Sequence, residues 1–184
     1  NPGSVTQTIA VLPGQTHNPG LSVLATAVTG TPTAQTAGSS FSVTVKAVDA
    51  FFNTVTSETG AVALTTDDVN DTHPAGKNFV AGETSFTVSN RTAATRTLTA
   101  ATAFTDNISS NYTLNAATVN QLLVVLPGQS YVPGALNLAA AVTGTPTTQT
   151  AGVAFNADVR AVDIYFNTVP SVVAAVSLVT NDPN

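Results

Sequence analysis

A single internal repeat constrains this chain more than any other feature. Leu12-Pro13-Gly14-Gln15 returns as Leu126-Pro127-Gly128-Gln129, and Thr29-Gly30-Thr31-Pro32-Thr33 returns as Thr143-Gly144-Thr145-Pro146-Thr147. Gln35-Thr36-Ala37-Gly38 matches Gln149-Thr150-Ala151-Gly152, and Phe52-Asn53-Thr54-Val55 matches Phe166-Asn167-Thr168-Val169. Every match has the same offset, 114 residues, and Gln7–Asn70 aligns with Gln121–Asn184 without a gap at 37 identities in 64 positions. That period is too long for a solenoid unit and fits a whole domain. Residues 1–6 then read as a linker or the end of a preceding repeat, 7–118 as one complete domain, and 119–184 as a second domain truncated in its C-terminal part. With no initiator Met and no signal peptide in view, the chain reads as an interior or processed segment of a longer protein.

Within one copy the pattern is that of strands. Phe41, Val43, Val45 and Ala47 alternate with Ser42, Thr44 and Lys46, the period of two that marks a half-buried strand. The second copy repeats it with Phe155, Ala157, Val159 and Ala161 expected inward. Further strands are expected over Gln7–Leu12, Leu24–Thr29, Ala61–Thr66, Glu83–Ser89, Arg96–Ala103 and Asn111–Ala116, all short, Val/Thr/Phe-rich and separated by Gly, Pro, Asn and Asp. No helix is expected. The fold class is all-β, with tandem immunoglobulin-like antiparallel β-sandwiches.

The run Ala37-Gly38…Phe41-Ser-Val-Thr-Val-Lys-Ala-Val-Asp49-Ala-Phe-Phe-Asn53, followed by the Phe86-Thr-Val88 strand, resembles the bacterial Ig-like and filamin-like tandem repeats. The resemblance covers both copies. It implies a non-catalytic repeat of a long extracellular or cell-surface protein, with the invasin and intimin adhesins as more distant relatives by type of domain.

Composition narrows the function classes. Charged residues are 8 % of the chain, against roughly 25 % in ordinary soluble domains. The five cations Lys46, Lys77, Arg91, Arg96 and Arg160 are dispersed, whereas nucleic-acid binding needs them clustered. No apolar run reaches the ~20 residues of a membrane-spanning helix. The absence of Cys removes disulfides and thiolate chemistry. Four Asn-x-Ser/Thr sequons, at Asn70, Asn90, Asn107 and Asn111, are what a chain rich in these residues produces by chance as readily as by selection.

Catalytic constellations are missing from the sequence. His17 becomes Tyr131 in the second copy, and Glu58 becomes Val172. Lys46 points outward and is matched by Arg160, which argues against an intramolecular isopeptide bond. Asp49 and Asn53 recur as Asp163 and Asn167, a pairing expected to close turns. The other reading of these residues, with Asp67, Asp68, Asp71 and Asp182, is a set of calcium ligands. His17 and Tyr131, at the tips of the loops 12–20 and 126–134, are candidate contact residues, as are Phe51 and Tyr165, the outward members of two adjacent aromatic pairs.

Two functions follow as expectations. The first is a rigid stalk, or a subunit of an extracellular fibre or sheath, whose partners are neighbouring repeats and other copies of itself. The join 115–121 lacks a flexible Gly/Ser run, which favours stiffness. The alternative is an adhesin or carbohydrate- or protein-binding module, which requires exposed aromatics.

Overall fold

The structure is a computed structural model that describes residues 1–105 and 107–181. It is all-β in character, built from several small and mostly antiparallel sheets. In the first copy the elements run β1 (Gln7–Val11), β2 (Thr16–His17), α1 (Leu24–Ala27), β3 (Val28–Thr29), β4 (Gln35–Thr36) and β5 (Phe41–Val48). They continue with β6 (Ala61–Thr66), β7 (Lys77–Asn78), β8 (Glu83–Val88), β9 (Ala94–Arg96), β10 (Leu98–Ala101), β11 (Asn107–Ile108) and β12 (Tyr112–Asn115). The second copy supplies β13 (Gln121–Val125), β14 (Ser130–Tyr131), α2 (Leu138–Ala141), β15 (Val142–Thr143) and β16 (Asp158–Val162).

The alternating strand organises the first copy. β5 lies between β1 and β8, with Val43 opposite Phe86 and Phe41 opposite Val88. Its inward set Phe41, Val43, Val45 and Ala47 packs in one cluster with Val62 and Leu64 of β6, Leu98 and Ala100 of β10, Phe79 and Tyr112. Lys46 points the other way and pairs with Glu83 across the strands.

A second, smaller cluster covers the opposite face of β1 and β5. Ile9 and Val48 meet Ala27 and Phe52 there. The helical turn α1 corrects the expectation of a strand over 24–29. Val23 O accepts the amides of Thr26 and Ala27 and the Thr26 hydroxyl, which bends this Ala-rich segment into one turn that drops Ala27 onto the sheet. α2 does the same in the second copy, with Asn137 Oδ1 accepting the Ala140 amide at 3.0 Å. The expected strand 96–103 also divides. β9 pairs with β12, whereas β10 pairs with β6 and β11.

The second copy keeps only the smaller cluster. Leu123, Ala141, Val162 and Phe166, the counterparts of Ile9, Ala27, Val48 and Phe52, pack with Val125 and Ala135. The inward placement of Phe155 is corrected: it is 51 % exposed, where Phe41 is 8 %. In the first copy Val88 faces that ring and Tyr112 meets it edge-on at 5.5 Å between centroids. Residues 119–181 contain no counterpart of β8 or β12, and β16 has β13 as its one neighbouring strand among the described residues. Among the described residues, no helix is long and apolar enough to cross a membrane.

Candidate functional site: the joint between the copies

The Asp-x-x-Phe-Asn turn is built identically in both copies. Asp163 Oδ1 accepts the amides of Tyr165 and Asn167 at 2.9 and 2.8 Å, and Asp49 Oδ1 accepts those of Phe51 and Asn53, both at 2.9 Å. This network holds Phe52 at φ 57° and Phe166 at φ 59°, a left-handed conformation that a bulky residue adopts only when its surroundings impose it. Each of those rings is buried in the smaller cluster of its own copy.

In the second copy the turn also grips the first. Asp163 Oδ2 accepts the Ala117 amide of the connecting segment at 2.8 Å. Asn167 Oδ1 accepts the Ala93 amide at 2.9 Å, and Asn167 Nδ2 donates to the Arg91 carbonyl at 2.7 Å and to Asp163 at 2.9 Å. Asn167 is thereby buried with its amide fully paired. Two further contacts close the joint. Asn70 Nδ2 donates to the Pro133 carbonyl at 3.3 Å. The Tyr165 ring lies against Gly38, where a Cβ would come within 2.4 Å of it.

The loop that Asn167 grips is held from the other side by Asp68. Its Oδ2 accepts the amides of Arg91 and Thr92 at 2.7 and 2.8 Å, and its Oδ1 accepts the Thr92 hydroxyl at 2.7 Å and the Asn70 amide at 3.1 Å. Burial opposes ionisation of Asp68 and is the largest single influence, yet the Thr92 donors with Arg91 and Asn70 outweigh it. The carboxyl lies below its ordinary value. Arg96 adds two hydrogen bonds to the Thr92 carbonyl, at 3.0 and 2.8 Å. Beneath the loop, Tyr112 donates to buried Asn90 at 2.7 Å, and burial, with Asp67 nearby, raises the Tyr112 phenol well above its usual range.

The calcium candidates thus fall in separate places, and the carboxylates of Asp49, Asp68 and Asp163 face N–H and O–H donors. Asp49 and Asn53 belong to the first-copy turn, Asp163 and Asn167 to the joint, and Asp68 to the loop. Asp71 accepts from Thr66 and Asn90, and exposed Asp67 lies 3.9 Å from Arg96. Asp182 lies outside the described residues. Among the described residues no three His, Asp or Glu side chains gather in a metal-binding group. Of the sequons, Asn70 is engaged in the joint and Asn90 is buried.

His17 and Tyr131 point inward rather than out. His17 Nε2 bonds to the Phe52 carbonyl at 2.7 Å, and the Tyr131 hydroxyl bonds to the equivalent carbonyl of Phe166. Different side chains therefore tie the same loop to the same strained turn. Burial lowers the His17 pKa, partly offset by the Phe52 carbonyl, so the ring serves as a neutral N–H donor. Phe51 is 58 % exposed as expected, whereas Tyr165 is half-buried in the joint.

The recurrence of Asp-x-x-x-Asn was visible in the sequence, and its grip on another copy was not. Arg91, Thr92 and Ala93 lie in the part of the repeat that the second copy does not contain, so no recurrence marked them. Compared with known proteins, the chain matches no protein-family model, no curated protein and no solved structure.

Two outcomes are expected here. Gly134 (φ +81°) approaches the first copy so closely that a Cβ would lie 2.0 Å from Thr92 Oγ1, while on its counterpart Gly20 (φ +83°) the nearest atom is Asn53 Oδ1 at 4.0 Å. Both Gly→Ala changes carry the same left-handed strain, about 1 kcal/mol. Gly134→Ala is therefore expected to expose the Ala93 amide to exchange while Gly20→Ala leaves it protected, as amide-exchange NMR will read. The second concerns acid. The Gly3 amide, and beside it Asn53 and Phe51, hold the Asp49 carboxyl down to about 2 against the opposing effect of desolvation. A carboxyl whose pKa is lower in the folded state stabilises fully above its ordinary value near 4, and that contribution is lost as pH falls from about 4 toward about 2. Thermal melts across this window are expected to show a shallower acid slope for Asp49→Asn than for the parent chain.

Proposed function

We infer that this chain is a non-catalytic structural repeat of an extracellular bacterial surface protein. Its units are immunoglobulin-like sandwiches stacked end to end, forming a rigid stalk or a subunit of an extracellular fibre or sheath. The observation that carries this reading is the clasp of Asn167 on both the Arg91 carbonyl and the Ala93 amide. Two backbone groups taken by one buried side chain define an angle between units, which a flexible tether does not do. The connection supports it, because Ala117 is tied to Asp163 and Asn120 donates to the Val162 carbonyl at 2.8 Å, leaving few free residues between the copies.

The reading also accounts for where polar chemistry is invested. The carboxylates of Asp68 and Asp163 accept main-chain amides and so shape the loops at the joint. The surface, poor in charge and rich in Thr, Ser and Asn, suits close lateral packing of neighbouring rods. Tyr165, the counterpart of the exposed Phe51, is used in packing between copies, which favours a structural role for this aromatic position over ligand recognition. Electron microscopy of the native material is the test. Straight rods or ordered filaments with a regular repeat along their length are expected, and flexibly beaded chains would overturn the reading.

A further inference from the structure

The end of the first copy that carries Asp49, Phe51 and Asn53 has the same build as the end of the second copy that closes the joint. Gly3 stands in the place of Ala117, and its amide donates to Asp49 Oδ2 at 2.8 Å, as Ala117 donates to Asp163 Oδ2. Thr6 donates to the Val48 carbonyl as Asn120 does to that of Val162. Residues 1–6 thus follow the path that residues 115–120 take as the connection between copies.

Beyond that shared path, the equivalent groups differ in whether they are filled. Asn167 Oδ1 accepts from Ala93, whereas Asn53 Nδ2 donates only to Asp49 and Asn53 Oδ1 accepts from no donor among the described residues. Ala135, next to Gly134, is 5 % exposed and packs in the second copy's own cluster, and its counterpart Leu21 is 37 % exposed. Tyr165 lies against Gly38, and Phe51 projects into solvent. An amide oxygen without a donor among the described residues and an exposed aromatic ring therefore occupy two positions that the second copy uses to hold the first, with exposed Leu21 beside them.

The geometry points to a socket here for the Arg91–Ala93 end of another repeat of the same kind, joined ahead of this one in the same chain and entering through residues 1–6. The occupant must offer an amide aimed at Asn53 Oδ1 from a loop held by a carboxylate, as Asp68 holds 91–92, and a glycine such as Gly38 to receive the Phe51 ring. This inference rests on, and extends, the reading of the chain as stacked repeats. Because the two faces of the contact are different and the operation does not close, each added repeat lengthens the rod and leaves a new socket.

The test is an extended chain in which residues 1–120 precede residues 7–184, studied by amide-exchange NMR beside the 184-residue chain. Two slowly exchanging Ala93 amides are expected. Asn53→Ala in the middle repeat is expected to accelerate one of them about tenfold, the loss of one hydrogen bond to a buried partner, and Asn167→Ala the other. Gly20→Ala, harmless to the joint in the 184-residue chain, is expected to release the same amide as Asn53→Ala. One slow Ala93 amide, untouched by Asn53→Ala, would overturn the socket while leaving the observed joint intact. If Asn167→Ala in the 184-residue chain releases nothing either, the stacked reading itself fails. Dimers of the 184-residue chain that Asn53→Ala abolishes would overturn the choice of a covalently joined partner.

Discussion

Phe41→Ala is expected to cost the first copy about 3–5 kcal/mol, while Phe155→Ala, at the same place in the repeat, costs less than about 1 kcal/mol. Phe41 is 8 % exposed, faces Val88 across the β5–β8 ladder and meets Tyr112 edge-on. Truncating it removes the transfer energy of a buried ring and leaves a cavity that the surrounding strands cannot fill. Phe155 is 51 % exposed, with neither partner present. The repeat thus supplies its own control, because the two substitutions delete the same atoms from the same motif. Denaturant melts of the parent and both variants check the difference. A marginal domain has about 5–15 kcal/mol in total, so Phe41→Ala is expected to shift the midpoint of the first copy by a large fraction of its range. Equal costs at the two positions would contradict the description of the core.

Asp163→Ala is expected to have the second largest effect, and a local one. Four donors converge on this buried carboxylate: the amides of Ala117, Tyr165 and Asn167, and the Asn167 side chain. Without it the two bonds to Asn167, which are buried, leave their donors unpaired away from water at about 1–3 kcal/mol each, whereas the part-buried amides of Ala117 and Tyr165 can turn to solvent. The turn that holds Phe166 at φ 59° loses its frame at the same time. Residues 117–167 are expected to become open to limited proteolysis and fast amide exchange, while the first copy melts as before, since its main cluster contains no residue of the second. Cooperative unfolding of both copies by this one change would contradict the separation of their cores.

The inward face of β5 and the Asp/Asn turns were legible in the sequence, because each depends on residues close together along the chain. Two things escaped it for physical reasons. The segment Ala61-Val62-Ala63-Leu64-Thr65-Thr66 forms a strand with Val62 and Leu64 buried, yet its counterpart Ala175-Val176-Ser177-Leu178-Val179-Thr180 forms none, with Val176 and Leu178 at least half exposed. The apolar pattern is nearly the same; what differs is the presence of β10 and β7 as partners, so pairing decided the outcome where propensity did not. The joint escaped because its partners, Asn167 and Arg91, are 76 residues apart and one of them is engaged through its main chain. Main-chain recognition leaves no mark on residue type. His17 and Tyr131 misled for a related cause, since both reach the same carbonyl position and their difference in type disguised a common role.

If the Asp163–Asn167 turn fixes one copy to the next at a defined angle, the two copies tumble as one body. Backbone residual dipolar couplings of the 184-residue chain in a dilute aligned medium test it most directly. Couplings from the strands of the first copy and from β13, α2 and β16 are expected to fit a single alignment tensor, and Asn167→Ala is expected to split them into two. Two independent tensors in the parent chain would contradict it, and would mean that the copies move as separate bodies on a tether.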